Sequence, residues 1–320
     1  MRPRRTQSST LVFLIWGLNA FGVLVLLGIF LLYWAGKSAQ AAPQNILAAS
    51  PTPTLSLPPT RYNLPTVTPN PLSTEIVVES PTPFVLPNGI RPGLIGSSVS
   101  GRPIEVYTFG YGGRQVMIVA GIHGGYEWNT IALADQLILY LNEHPETIPE
   151  DVTLFILRNL NPDGDARDHG IDGRANDHGV DLNRNFPVNW SATWNREGCY
   201  DKSPTTSGTG PGSEPETAAV INFLSYRRLT ALISYHSAAL GIFPGGEPWD
   251  ETSIRLARQI AEVSNYPFPP IKTGCVYTGT LADFAVSHGI AAVDLELSNH
   301  KQTEFNTNLQ ILKILLNFGK

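Results

Sequence analysis

Three side chains of this sequence have the types and surroundings to hold a divalent metal. His123 and Glu127 stand in AGIHGGYEWNT, and His236 closes TALISYH. Two imidazoles and one carboxylate make a borderline-soft nitrogen and oxygen set that suits zinc, with a fourth position left for water. Glu296 lies near the end of another apolar run, VDLEL. A carboxylate there is costly to bury unless it meets a cation or serves chemistry. His144, His169, His178, His288 and His300 fall in loops or at helix ends and read as ordinary hydrogen-bonded residues. The acid-rich DGDARDHGIDG lacks the spacing of a calcium-binding loop and reads as a solvated turn. Asp163 and Asp181 read as loop braces, and Asn189-Trp190-Ser191 is a weak match to a glycosylation sequon.

These groups need a rigid frame. Apolar, β-branched runs at 115–121, 152–158, 230–236 and 291–297 read as buried strands, and 104–110 as a more exposed one. Amphipathic stretches at 128–144, 213–228, 250–264 and 303–318 read as helices, with Ser213 and Glu216 spaced as a capping box. The alternation predicts a three-layer α/β/α domain with a mixed, mostly parallel central sheet. His123 and His236 then sit at carboxyl edges of strands, where open α/β sheets bind ligands. The aperiodic segment 159–212 is long for a compact domain, which marks it as functional.

Composition bounds the partners. A net charge of −5 over 320 residues, with no basic stripe, excludes a nucleic-acid binder. The one basic cluster, Arg2, Arg4 and Arg5, precedes the uncharged run 11–36, which exceeds the about 20 residues a spanning helix needs. The expected layout is a cytoplasmic segment at 1–10 and a transmembrane signal anchor at 11–36. A Pro/Thr/Ser-rich extracytoplasmic linker at 37–92 and a folded domain at 93–320 follow. Cleavage near Ala39-Gln40-Ala41 would give a secreted form instead. In an oxidising compartment the two cysteines, Cys199 and Cys275, are expected to pair.

The segments AGIHGGYEWNT, NLNPDGD, GRANDHGVDLNRNFP, SYHSA and VDLEL follow one another as in the zinc carboxypeptidase family. Residues 93–320 resemble the bacterial-type catalytic domain of these metallocarboxypeptidases, of the carboxypeptidase A and T kind, and GVDLNRNFP is the most specific element. The resemblance implies one zinc ion on His123, Glu127 and His236, and a peptide substrate with a free C-terminal carboxylate. It implies Arg174 at the scissile carbonyl, Asn183 and Arg184 on the terminal carboxylate, and Glu296 as general base and acid. Two departures stand out. The family's His-x-x-Glu is here His123-Gly-Gly-Tyr-Glu127, one residue longer. Tyr277, before Thr278-Gly279-Thr280, is the nearest match to the substrate-capping tyrosine. The segment from Tyr277 to Asp283 is expected to contribute to the side-chain pocket, with Ala282 implying no strong charge preference. The activity implied is removal of the last residue of peptides, including cell-wall stem peptides. The alternatives are a catalytically silent peptide- or wall-binding module, and a zinc amidase or deacylase on the same fold.

Overall fold

The computed structural model describes residues 91–193, 205–238 and 241–320. The expected anchor at 11–36, and all of the expected linker but Arg91 and Pro92, lie outside them. Among the described residues, no helix is long and apolar enough to cross a membrane.

The apolar runs form a seven-stranded sheet in the order β1-β2-β4-β3-β5-β7-β6. Its strands are β1 (Gly93–Ser97), β2 (Pro103–Phe109), β3 (Arg114–Val119), β4 (Val152–Leu157), β5 (Leu229–Ser237), β6 (Ile242–Pro244) and β7 (Ala291–Leu297). The four central strands β4, β3, β5 and β7 run parallel, while β1, β2 and β6 join as antiparallel edges. Near-continuous apolar sequence belongs to strands covered on both faces, and β4 is buried at every position. The run around 104–110 is a strand more exposed than the central ones, as expected, with Pro103 and Thr108 open to solvent. As β2 it lies between β1 and β4, and its Ile104, Val106 and Tyr107 are buried in the cores on the sheet's faces.

One face of the sheet is covered by α1 (Trp128–Glu143), α4 (Glu251–Glu262) and α6 (Phe305–Asn317), through residues such as Leu137, Ile260 and Leu315. The other is covered by α3 (Pro215–Ser225) and α5 (Leu281–Ser287), through Val220, Phe223, Leu281 and Phe284. The three-layer arrangement therefore holds. Short strands β1 and β6 and helix α5 gave too few residues for a readable period.

The capping box does not form. Pro215 occupies the first helical turn and makes Glu214 the N-cap, while the Ser213 hydroxyl bonds the Glu214 carboxylate at 2.7 Å. Glu216 instead accepts the Val99 N–H and an Asn176 amide proton at 3.0 and 3.1 Å. The described part of the segment after β4 contains one short α-helix, α2 (Pro162–Arg167), and two 3-10 turns, Ile171–Gly173 and Leu182–Arg184, and is braced by buried asparagines. Asn161 accepts from Gly164 N and donates to the Arg174 carbonyl. Asn176 accepts from Val180 N, and Asn185 donates to the Ser207 carbonyl. Side-chain amides that satisfy local backbone groups hold a loop without any periodic signal. Cys275 is disulfide-bonded; Cys199, the other cysteine of the chain, lies outside the described residues.

Candidate active site

After β3 the chain makes a one-turn 3-10 helix, Gly124–Glu127, with His123 at its N-cap position. Gly124 has φ +46°, and a Cβ on Gly125 would lie 2.1 Å from the Asp168 carbonyl oxygen. Only glycine fits both demands. The tight turn absorbs the extra residue and brings His123 Nδ1 to 2.8 Å from Glu127 Oε1. His236, near the end of β5, puts its own Nδ1 3.3 Å from His123 Nδ1 and 3.2 Å from Glu127 Oε2. All three residues are buried, and their ligand atoms lie within 4.8 Å of one another.

The donor set fits zinc. Zinc–nitrogen bonds of about 2.05 Å at tetrahedral angles separate two ligand atoms by roughly 3.3 Å, matching the two Nδ1 atoms. The far side of each ring is already engaged. His123 Nε2 lies 3.1 Å from Asp181 Oδ1, and His236 Nε2 lies 3.1 Å from Ser234 Oγ. Partners at Nε2 leave Nδ1 of each ring for a metal. Burial opposes the Glu127 charge, but His123 and His236 outweigh it and hold the carboxyl well below its ordinary range. Burial likewise opposes a charged His236, yet Asp294 and Glu127 raise it well above the usual histidine range. A buried carboxylate set against two imidazoles is a cluster whose protons a divalent ion displaces on binding.

Around the triad the loop after β4 supplies Arg174. Its Nε and Nη2 lie 2.9 and 2.8 Å from Asp181 Oδ2, and its Nη1 lies 3.5 Å from Glu127 Oε1. Asp181 thus joins a metal ligand to the arginine, a role beyond loop bracing. Burial works against its charge, but Arg174 and His123 hold it well below the carboxylate range. Asp181→Asn keeps an acceptor for the Asn183 N–H while removing the charge. Zinc affinity is expected to fall about 10- to 100-fold, measured by competition with a chromophoric chelator. Unchanged affinity would return Asp181 to bracing the loop.

Glu296 pairs in register with His236 on the adjacent parallel strand, so the two side chains leave the same face about 4.8 Å apart at the backbone. Burial, then the Glu127 charge, pushes the Glu296 carboxyl up to about 8. Its residue surface is partly open, but Oε2 is closed off without a hydrogen-bond partner. Asn183 donates to Asp294 Oδ2 at 3.2 Å and accepts the Leu281 N–H at 2.9 Å. Arg184 is buried, bonds the Asn183 carbonyl through Nη1 at 2.7 Å, and has an orphaned Nε. The Tyr277 ring lies 5.1 Å from the Arg184 guanidinium and edge-on to Phe243. Gly279, at φ +64°, lets this segment press against the Arg184 backbone, where a Cβ would lie 2.5 Å from the carbonyl oxygen.

The residues expected at the site, His123, Glu127, Arg174, Asn183, Arg184, His236, Tyr277 and Glu296, are thus linked through contacts in one region. Among the described residues, the charged side chains with an orphaned buried atom are Glu127, Arg184, Asp294 and Glu296. Such atoms in a native fold ask for an ion, a water or a ligand. One further residue was missed, and one reading held. Asp294, two positions before Glu296 in the same strand, faces the same side, a period-2 signal visible in VDLEL. His300, read as an ordinary hydrogen-bonded residue, stays outside the triad, hydrogen-bonds Ser237 Oγ at 2.9 Å and lies with its ring 4.6 Å from that of Tyr126.

A model of the zinc carboxypeptidase family matches residues 86–313, and the chain belongs to that family. It is similar to carboxypeptidase A5 of Macaca fascicularis, 32% identical in an alignment 231 positions long that covers 61% of this chain and 52% of the relative. Human carboxypeptidase A5 is 32% identical in an alignment 247 positions long that covers 66% of this chain and 56% of the relative. The chain thus spans about half the length of the curated relatives it matches. Among solved structures, the murein-tripeptide amidase MpaA from Escherichia coli O157 has a TM-score of 0.56 at 20% identity, covering 74% of this chain and 95% of that one. Bovine thrombin-activatable fibrinolysis inhibitor, in complex with tick carboxypeptidase inhibitor, has the same TM-score at 23% identity over 71% and 86%. At these identities the likeness is one of fold.

Proposed function

We propose that this protein is a zinc-dependent carboxypeptidase that removes the C-terminal residue of peptides. The carrying observation is the convergence of His123, Glu127 and His236 beside a half-buried Glu296, whose Oε2 has no hydrogen-bond partner, and a buried arginine with an unused donor. When bound, zinc supplies Lewis acidity and activates water for attack at neutral pH. His123, Glu127 and His236 hold it; Asp181 and Ser234 fix the two rings. Glu296, raised toward neutrality, takes a proton from the attacking water and returns it to the leaving amine. Arg174, fixed by Asp181, faces the charge that develops on the scissile carbonyl oxygen. Arg184 receives the substrate carboxylate, for which a planar guanidinium is the matching donor. Asn183 positions that arginine's neighbourhood, and Tyr277 covers it.

The reading extends to residues 1–92. The anchor and linker would tether residues 93–320 on the outer side of the membrane, or release them if cleavage occurs near Ala41. Cell-wall stem peptides are then the nearest substrates, and membrane fractionation with protease accessibility tests the placement. Activity is tested on the zinc-loaded chain with peptides carrying a free or an amidated C-terminus. Only the free carboxylate form is expected to lose its last residue, with amidation lowering kcat/KM by about 100-fold or more. Equal hydrolysis of both forms would favour an amidase or deacylase reading. Bound zinc without hydrolysis of either would favour a silent binding module.

A further inference from the structure

The loop 298–304, between β7 and α6, is braced more firmly than a connection needs, and the chemistry above leaves it unused. Asn299 Oδ1 accepts the backbone N–H groups of Lys301 and Gln302 at 2.8 Å, and Glu304 Oε2 accepts that of Ser298 at 2.9 Å. Asn129 of α1, wholly buried, donates through Nδ2 to the Asn299 and Gln302 carbonyls at 2.7 and 2.9 Å. Its amide orientation is thereby fixed, and Oδ1 takes the Ser237 hydroxyl proton at 3.0 Å. Ser237 Oγ then has no second proton for His300 Nδ1, 2.9 Å away, so the proton of that bond sits on the imidazole. His300 is therefore held with Nδ1 protonated and a bare lone pair on Nε2. Burial, with the Arg174 and His123 charges and against that of Glu127, keeps the ring below the ordinary histidine range, which favours this neutral form. Among the described residues, none hydrogen-bonds Nε2.

This acceptor joins the site at a different point from Arg184. Asn183, beside Arg184, approaches His236 at Nε2, 3.4 Å away, whereas His300 is held by Ser237, the next residue of β5. The His300 ring lies 4.6 Å from that of Tyr126, which in turn lies 6.0 Å from the Arg174 guanidinium. Arg174 is the group that faces the scissile carbonyl. A peptide held at Arg184 by its carboxylate thus continues past Arg174 toward Tyr126 and His300. The penultimate residue carries that carbonyl and, one Cα further, the next backbone N–H, a donor that needs a partner once water is displaced. We propose that His300 Nε2 accepts this N–H and so fixes the peptide on the acyl side of the bond to be cut. The inference rests on the carboxypeptidase reading and adds a rule to it: the penultimate residue must carry an N–H.

The test compares N-blocked tripeptides that differ only in a penultimate alanine or N-methylalanine, hydrolysed by the zinc-loaded wild type, His300→Phe and His300→Gln. Phenylalanine keeps a ring against Tyr126 without the acceptor, and glutamine brings an oxygen to the position of Nε2. His300→Ala serves in place of His300→Phe should the larger ring prevent folding. Methylation is expected to lower kcat/KM in wild type by roughly five- to tenfold more than in His300→Phe, the worth of one hydrogen bond. Glutamine should restore most of that difference. Any effect of the methyl group on the peptide itself is common to all the proteins and cancels. An equal penalty in wild type and His300→Phe would overturn the proposal, as would a glutamine variant that behaves as the phenylalanine one does. Either result would leave His300 as a brace for Ser237. Calorimetry of the same two peptides on the zinc-loaded proteins reads the contrast without turnover. A methylation penalty in Kd that vanishes in His300→Phe sustains the proposal even if nothing is cleaved, and an equal penalty overturns it. Failure of the hydrolytic reading is thereby distinguished from failure of this one.

Discussion

Glu296→Gln is expected to lower kcat by about 10²–10⁴-fold while zinc content and peptide binding stay near wild type. Glutamine keeps the shape and the partial burial but cannot accept a proton. The loss should therefore fall on kcat and kcat/KM together, as for a group that acts only in the transition state. The same substitution carries a second, opposite effect on the metal-free protein. Burial and the neighbouring Glu127 raise the folded Glu296 carboxyl to about 8, above its value in an unfolded chain. A group shifted this way binds its proton more tightly when folded, so it destabilises the fold progressively as pH rises toward that value. Glutamine has nothing to ionise. Metal-free Glu296→Gln is thus expected to melt above metal-free wild type at pH 9, with the gap closing toward pH 4. Thermal unfolding in the presence of a chelator measures it. A variant that melts below wild type at every pH would show that Glu296 is a structural acid, and full residual activity would remove it from the chemistry.

The four central strands are legible because each is a short apolar run with both faces covered, a pattern that composition alone displays. The long helices α1, α4 and α6 are legible for the corresponding reason at a period near 3.6. The triad and Glu296 are legible because polar groups at the ends of such runs contradict their surroundings. What escaped depends on three-dimensional neighbours. Ser213 and Glu216 have capping-box spacing, but Pro215 moves the N-cap to Glu214, and the Glu216 carboxylate is spent on Val99 and Asn176. Asp181 has the local look of a loop brace, and its bond to the Asn183 N–H is one. Its second task, joining His123 to Arg174, appears only once α2 and the turns around it bring residues 58 and 7 positions away into contact. Asp294 was masked by its neighbour. One carboxylate in an apolar strand drew the functional reading, and the one beside it on the same face did not.

His236→Ala is the most damaging single change expected at the site. It removes one of two imidazoles from the ligand set, so zinc affinity should fall by more than the about 100-fold that an outer partner is worth. Hydrolysis at micromolar zinc should disappear with it. The metal-free protein should suffer too, in a pH-dependent way. Burial disfavours the imidazolium, but Asp294 and Glu127 reverse that and raise His236 well above its ordinary value. A base raised on folding contributes stability that is fully present below about pH 6.5 and is lost as pH climbs through the folded value. Removing it strips Glu127 of one of its two imidazole neighbours, and breaking a buried pair of this kind costs about 3–5 kcal/mol. Urea unfolding of the two metal-free proteins should therefore differ most in mild acid and converge at alkaline pH. Zinc reverses the trend for wild type alone, because the ion and the proton compete for His236 and metal binding strengthens as pH rises. Adding zinc at pH 8 should thus stabilise wild type strongly and His236→Ala hardly at all. Equal zinc stabilisation of both proteins would mean that the metal sits elsewhere, and the hydrolytic reading would lose its foundation.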